Sequence, residues 1–290
     1  MIAFPNCKIN LGLNIVNRRP DGYHDLETAF YPVKGLYDAL EITAIANSTN
    51  NGYISSDGDV STNEYRLKQY GNYIECEPEK NLVVKAYLLL KNQFNNLPAI
   101  DIHLIKHIPS GAGLGGGSAD AAYMLKLLND LFVLHLSCKQ LEHLASQLGA
   151  DCAFFIQNQP TLASGIGDVF SPINLSLKGY QIIIVKPNVF ISTKEAFGKI
   201  QPQRPSVSIK DILKAPIHEW RNHLVNDFEA SIFPQHPEIG TIKQQLYEKG
   251  AEYASMSGSG SSVFGLFNPD IKLPELQLNK DYFIYKGVLL

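Results

Sequence analysis

Apolar and polar residues alternate from Cys7 to Ile15. Cys7, Ile9, Leu11, Leu13 and Ile15 fall on one side, and Lys8, Asn10, Gly12 and Asn14 on the other. A period of two predicts a half-buried strand. Arg18-Arg-Pro-Asp-Gly22 has the chemistry of a turn, so residues 23–33 read as the returning strand. Residues 47–71 are polar and read as loop with a short strand. The period then lengthens. Leu82, Lys85-Ala86, Leu89-Leu90 and Phe94 predict a helix over 81–94, and Ile100, Ile102, Leu104 and Ile108 a strand over 99–108 that Pro109 ends. A second helix over 119–132 carries the stripe Ala121, Met124-Leu125, Leu128 and Leu131-Phe132, the spacing of a core-facing helix. Ser137 and Gln140 form a capping box before Leu141, Leu144-Ala145 and Leu148, and Gly149 closes that helix.

Beyond residue 157 the pattern changes. The turn Ser164-Gly-Ile-Gly167 leads to a strand over 181–186, then to helical stretches near 208–231 and 237–249. A second loop, Ser257-Gly-Ser-Gly-Ser261, precedes a strand over 263–267, and a last strand lies near 282–285. Hairpins mixed with crossovers predict an α+β fold in two lobes, residues 1–157 and 158–290.

Composition narrows the partners. The chain has 290 residues, 45% hydrophobic and 18% charged, which suits a folded protein. The net charge is −3 and no long basic run appears, so nucleic acid is not an expected partner. A phosphate ligand needs only a local positive site. Cys7, Cys76, Cys138 and Cys152 form no zinc spacing, and no apolar run reaches the length of a signal peptide core or membrane span. A cytoplasmic protein with reduced thiols and no membrane contact is the simplest expectation. The sequence leaves the oligomeric state open.

The chemistry concentrates in Gly111-Ala-Gly-Leu-Gly-Gly-Gly-Ser118. Five of these eight residues are glycine, and the segment lies between a predicted strand and a predicted helix. Backbone without Cβ atoms can approach a ligand closely, and a helix N-terminus favours phosphate. Ser118 stands where its hydroxyl can meet phosphate or a magnesium ion. Gly117 precedes Ser118, so the lysine of a P-loop is missing. Gly111, Gly113 and Gly116 satisfy GxGxxG literally, but the required acid would be Asp130, inside the predicted helix, so the dinucleotide fold fails on context. Taken alone, Lys8 and Asn10 read as a solvated strand face, and Asp151 as a cap of the next turn. Tyr23 and His24 read as surface, and Phe190 as core.

Together the segments resemble the superfamily of galactokinase, homoserine kinase, mevalonate kinase and phosphomevalonate kinase. Three motifs match in order: Lys8-Ile-Asn-Leu-Gly-Leu-Asn14, Pro109-Ser-Gly-Ala-Gly-Leu-Gly-Gly-Gly-Ser118 and Met256-Ser-Gly-Ser-Gly-Ser-Ser262. Arg18-Arg-Pro-Asp-Gly-Tyr-His24, Leu148-Gly-Ala-Asp151 and Asn226-Asp-Phe-Glu229 are similar to the substrate motifs of its branch that acts on a cytidyl-bearing alcohol of isoprenoid precursor synthesis. Cys7 and Ala153 replace a usual alanine and a usual proline. The resemblance implies an N-terminal lobe similar to ribosomal protein S5 domain 2, a ferredoxin-like C-terminal lobe, and magnesium-dependent phosphoryl transfer from ATP to a small molecule. It implies Asp151 as general base, with Lys8 holding it ionised and stabilising charge on the phosphoryl group. It further implies Asn10 at the polyol end of the substrate, Tyr23 and Phe190 around the cytosine, and His24 at its edge. For the nucleotide it implies Asn81 and Lys106 near adenine and ribose, with Pro109, Gly111, Gly113, Leu114, Gly115, Gly116, Gly117 and Ser118 around the phosphates and Ser118 at the metal.

Overall fold

A computed structural model describes residues 1–45, 53–54, 60–62, 64–72 and 76–290. Much of the expected polar loop over 47–71, at 47–52, 55–59 and 63, lies outside the described residues. The chain folds into two compact units, each assembled from separate stretches of sequence. One comprises Met1–Cys7, Tyr37–Ser110 and Gly115–Asn158; the other comprises Lys8–Leu36, Gly111–Leu114 and Gln159–Leu290.

The first unit carries a six-stranded sheet in the order Ile2–Ala3, Ala39–Ala44, Ile100–Lys106, Tyr65–Gly71, Val60–Ser61, Tyr53–Ile54. Tyr65–Gly71 was expected to be mostly loop. It pairs instead with Ile100–Lys106, in parallel, from Tyr65 opposite Ile100 to Gly71 opposite Lys106. Its alternation of Tyr65 and Leu67 with Arg66 and Lys68 is short, ending at Gln69, and Tyr65 and Leu67 are buried. A parallel pair needs a crossover, which the helix Leu82–Gln93 supplies. That helix buries Ala86 and Leu90 of the expected stripe, and adds Val83, Val84 and Tyr87 in place of Leu82, Lys85 and Leu89. The helix Gly116–Leu131 buries Ala121, Met124, Leu125 and Leu128 as expected, and starts three residues earlier than the pattern predicts. Cys138–Leu148 keeps its capping box and buries Leu141, Leu144 and Ala145.

In the second unit, one four-stranded sheet has the order Val169–Pro172, Thr161–Ser164, His24–Tyr37, Asn6–Arg18. The other has the order Tyr253–Met256, Val263–Phe267, Gln181–Lys186, Phe283–Val288, all antiparallel. Its core joins Ile183, Val185, Met256, Val263 and Phe267 to Phe228, Ile239, Ile242 and Leu246 from the helical segments. The helical stretch expected over 208–231 is broken into Ile209–Ile212, a 3-10 segment Ile217–Asn222 and Phe228–Ile232. Pro216, which cannot donate a helical hydrogen bond, stands at the first break.

The first long strand departs from its expectation. All ten residues from Asn6 to Ile15 are buried, the polar ones included. Lys8 and Asn10 are each only 2% exposed, so they are not a solvated face. Buried charge and carboxamide on a strand require built partners. Among the described residues no disulfide occurs, and no helix is long and apolar enough to cross a membrane.

Candidate active site

The glycine loop leaves the strand Ile100–Lys106 under firm guidance. The Asp38 carboxylate accepts the backbone N–H groups of His107 at 2.6 Å and Ile108 at 2.8 Å. Half-buried Pro109 follows. Gly111, Gly113 and Gly115 then take φ of 60°, 73° and 72°, the left-handed region where glycine carries no steric cost. Between them the side chains of Ala112 and Leu114 turn inward and are buried. Gly115 is the N-cap of Gly116–Leu131, and no side chain caps that end. Gly116, Gly117 and Ser118 are therefore the first helical residues, and helix geometry leaves their N–H groups without intrahelical acceptors. A polyphosphate fits such an end by charge and by hydrogen bonding.

Lys106 is buried and faces away from solvent. Its ammonium meets Asp120 at 2.6 Å and also pairs with Asp38. A Cβ on Gly116 would stand 3.4 Å from the same nitrogen. Burial opposes the lysine charge, but the two aspartates outweigh it and raise its pKa. Burial pushes the Asp120 carboxyl up to about 7, against the pull of Lys106 and with the help of Asp38. One Asp120 oxygen has no hydrogen-bond partner. Lys106 thus braces the end of its strand against the following helix. Asn81 is similarly occupied: it caps Leu82–Gln93 through Val83 N–H and donates to Gln69 at 2.9 Å.

In the second unit Lys8 has a dense set of neighbours. Its ammonium donates to Asn10 Oδ1 at 2.5 Å and to the Gly113 carbonyl at 3.2 Å, and lies 4.8 Å from the centre of the Phe30 ring. Asn10 uses its amide nitrogen on Thr28 Oγ1 at 2.9 Å, and Thr28 donates onward to the Gly12 carbonyl. Both ends of the Asn10 carboxamide are therefore engaged within the chain, which gives it a holding role on Lys8. The Lys8 N–H donates to the Leu114 carbonyl at 2.9 Å. The glycine loop is thus joined to the first strand through backbone as well as side chain.

Asp151 follows the extended Gly149 in a tight turn after Cys138–Leu148 and is half-buried. The neighbouring Cys152 is fully buried, and burial pushes its thiol up to about 11 although the Ser118 hydroxyl bonds to it. Ser118 is half-buried at the third helical position. Among the described residues no cluster of histidine, cysteine or carboxylates could cage a metal. A lone hydroxyl instead fits magnesium of the kind carried in largely by substrate phosphates.

Phe190, read alone as core, is exposed, and Tyr23 is exposed as its surface reading expects. Phe190 is 74% and Tyr23 62% exposed. The Phe190 ring passes 3.1 Å from the Cβ position of Gly111. His24 lies stacked on Phe197, whose edge meets Phe228 at 4.9 Å.

The Asn226-Asp-Phe-Glu229 motif has structural work. Asn226 donates to the carbonyls of Met256 and Gly258, both at 2.8 Å. Asp227 accepts the Ile15 N–H at 2.7 Å, and Glu229 accepts the Met256 N–H at 2.8 Å while pairing with Lys243. Asp38, Asp120, Phe197 and the bracing use of Asn226 escape a reading of the sequence. For Asp120 a signal existed: an acid four residues before Met124, against an apolar stripe, calls for a buried partner.

A family model described as the GHMP kinases N terminal domain matches residues 81–170, and one described as GHMP kinases C terminal matches residues 209–278. A protein of Bacteroides thetaiotaomicron named 4-diphosphocytidyl-2-C-methyl-D-erythritol kinase is 60% identical over 289 residues, covering 100% of both chains. One of the same name from Cytophaga hutchinsonii is 46% identical, covering 92% of this chain and 93% of that one. A crystal structure of 4-(cytidine 5'-diphospho)-2C-methyl-D-erythritol kinase matches with a TM-score of 0.75 and 30% identity over 92% of this chain and 90% of that one. A homoserine kinase from Cytophaga hutchinsonii shares the fold, with a TM-score of 0.67 at 17% identity over 98% of this chain and 94% of that one.

Proposed function

The chain belongs to the GHMP kinases, and from that premise we propose that it transfers the γ-phosphoryl group of ATP to the 2-hydroxyl of 4-diphosphocytidyl-2-C-methyl-D-erythritol. The observation that carries the phosphoryl-transfer reading is the uncapped helix end at Gly116–Ser118, preceded by three left-handed glycines. The choice of alcohol rests on the relative that matches this chain along its whole length at 60% identity.

In this reading the backbone N–H groups from Gly115 to Ser118 bind the triphosphate oxygens. Pro109, Gly111, Gly113 and Leu114 shape the loop around them. Ser118 offers its hydroxyl to a magnesium ion, which supplies charge neutralisation on the phosphates when bound. The acceptor is a tertiary alcohol, a poor nucleophile until its proton has somewhere to go. Asp151 accepts that proton. Lys8 stabilises the charge on the transferring group, fixed in direction by Asn10. Tyr23 and Phe190 stack on the cytosine ring and His24 hydrogen-bonds its edge, so that binding energy far from the reacting oxygen orients it.

The deciding measurement is ADP release with this cytidyl alcohol compared with homoserine and mevalonate, at equal concentrations and with magnesium present. Turnover should be confined to the cytidyl alcohol. Equal or greater turnover on either competitor overturns the assignment of the acceptor while leaving the kinase reading in place.

A further inference from the structure

Ser257 has no role in the scheme above, yet its side chain is fully buried at the centre of the Lys8 cluster. Its hydroxyl donates to the Gly113 carbonyl at 2.9 Å and accepts the Asn10 N–H at 3.3 Å. One small group therefore ties the glycine loop to the first strand, at the residue whose carboxamide holds Lys8. The Gly113 carbonyl accepts from both Ser257 and Lys8. A carbonyl has two lone pairs, so the two donors fill it and each fixes where the other can approach.

Ser257 is itself held from both sides. Asn226 grips the carbonyls of Met256 and Gly258, the residues flanking it. The Ser257 N–H donates to the Ser262 carbonyl at 2.9 Å, and the Ser262 N–H to the Ala112 carbonyl at 3.1 Å. The contact also leaves no room for error. A Cβ on Gly113 would stand 2.0 Å from the Ser257 carbonyl oxygen.

We propose that Ser257 is a positioning residue for phosphoryl transfer, setting the Lys8 ammonium through the shared Gly113 carbonyl and the Asn10 backbone, with Asn226 as the clamp that sets Ser257. This rests on the reading of Lys8 as the cation that acts on the transferring group. Removing the hydroxyl leaves Gly113 O with one donor and Asn10 N–H without its Ser257 acceptor, so two groups that direct the ammonium are held less firmly. Ser257 reaches the reaction only through the Gly113 carbonyl and the Asn10 backbone, so the loss falls mainly on kcat.

The test is a double-mutant cycle with Ser257→Ala and Lys8→Met, assayed with ATP and the cytidyl alcohol well below the thermal transition. Ser257→Ala should lower kcat by about ten-fold, with KM for both substrates within about two-fold, in keeping with an interaction felt mainly in the transition state. In the Lys8→Met background the same substitution should have no further effect, because residues acting through one group are not additive. Asn226→Asp, which retains an acceptor for Phe228 N–H but loses both donated hydrogens, should repeat the kcat loss. An equal fold-loss from Ser257→Ala in both backgrounds overturns the proposal, as does an unchanged kcat in Ser257→Ala. An unchanged kcat in Lys8→Met alone overturns the role of Lys8, and this inference with it, and is told apart by that single variant.

Discussion

The His24 imidazole lies against the ring of Phe197, with centroids 4.8 Å apart and planes at 23°. Phe197 is held in turn by the edge-on contact with Phe228. The plane of His24 is therefore set by packing before any ligand arrives. An aromatic pair of this kind is worth about 0.5–1.5 kcal/mol. Phe197→Leu should raise KM for the cytidyl alcohol about 2–10-fold and leave KM for ATP unchanged. Tyr23→Ala should act the same way and more strongly, since it removes a stacking face. Steady-state kinetics with each substrate varied in turn checks both, and equal weakening of both substrates would remove the stack from cytosine recognition.

The fold was legible where signals are local. The glycine content, the stripe of Ala121 to Leu128 and the Ser137–Gln140 box each lie within one element, and each forms as expected. The site was legible only in outline, because its geometry depends on partners remote in sequence. Nothing near Lys106 in sequence announces its partner Asp38, which stands 68 residues earlier. Nothing near Asn226 in sequence announces its acceptor Gly258, 32 residues later. Asparagine before a helix is a local capping signal, and Asn81 does cap Leu82–Gln93 through the Val83 N–H.

Gly113 and Gly22 separate backbone conformation from crowding. Both have positive φ, 73° and 87°. A Cβ on Gly22 meets nothing within 4 Å, whereas one on Gly113 strikes the Ser257 carbonyl. Gly22→Ala should cost only the left-handed penalty of about 1–2 kcal/mol. Gly113→Ala should cost at least about 2 kcal/mol more, because backbone on both sides must move. Thermal unfolding should then place Gly113→Ala at least about 4 °C below Gly22→Ala. Equal transitions would mean that the loop yields freely.

Asp120 gives a pH dependence with a definite sign. Its carboxyl is raised from 3.8 to about 7 by burial, with Asp38 adding to the shift and Lys106 opposing it. Across that window the folded protein keeps a proton that the unfolded chain has released. The stability contributed by this group is therefore greatest below pH 3.8 and falls as pH rises towards 7. Asp120→Asn removes the slope. The difference in thermal transition, variant minus wild type, should grow between pH 4.5 and pH 7 and stay flat above; a constant difference would refute the shift. Lys106→Met should cost about 3–5 kcal/mol, the scale for leaving buried charge unpaired.

Asp151→Asn is the direct probe of proton transfer. The substitution preserves shape and removes the base, so kcat should fall about 100-fold or more while the thermal transition is retained. An unaltered kcat would take Asp151 out of the chemistry.

The first long strand also dictates the order in which the chain can be completed. The Asn6 carboxamide accepts from the Asn158 amide at 2.6 Å, and the Ile15 N–H donates to Asp227, 212 residues later. At about 5–20 residues per second, a ribosome needs about 10–40 s between Ile15 and Asp227. Throughout that interval the strand bearing Lys8 is already made and lacks its final acceptor. The strand bearing Lys8 is thus written first and finished last, and activity should appear in translation only once the clamp at Asn226–Glu229 has emerged.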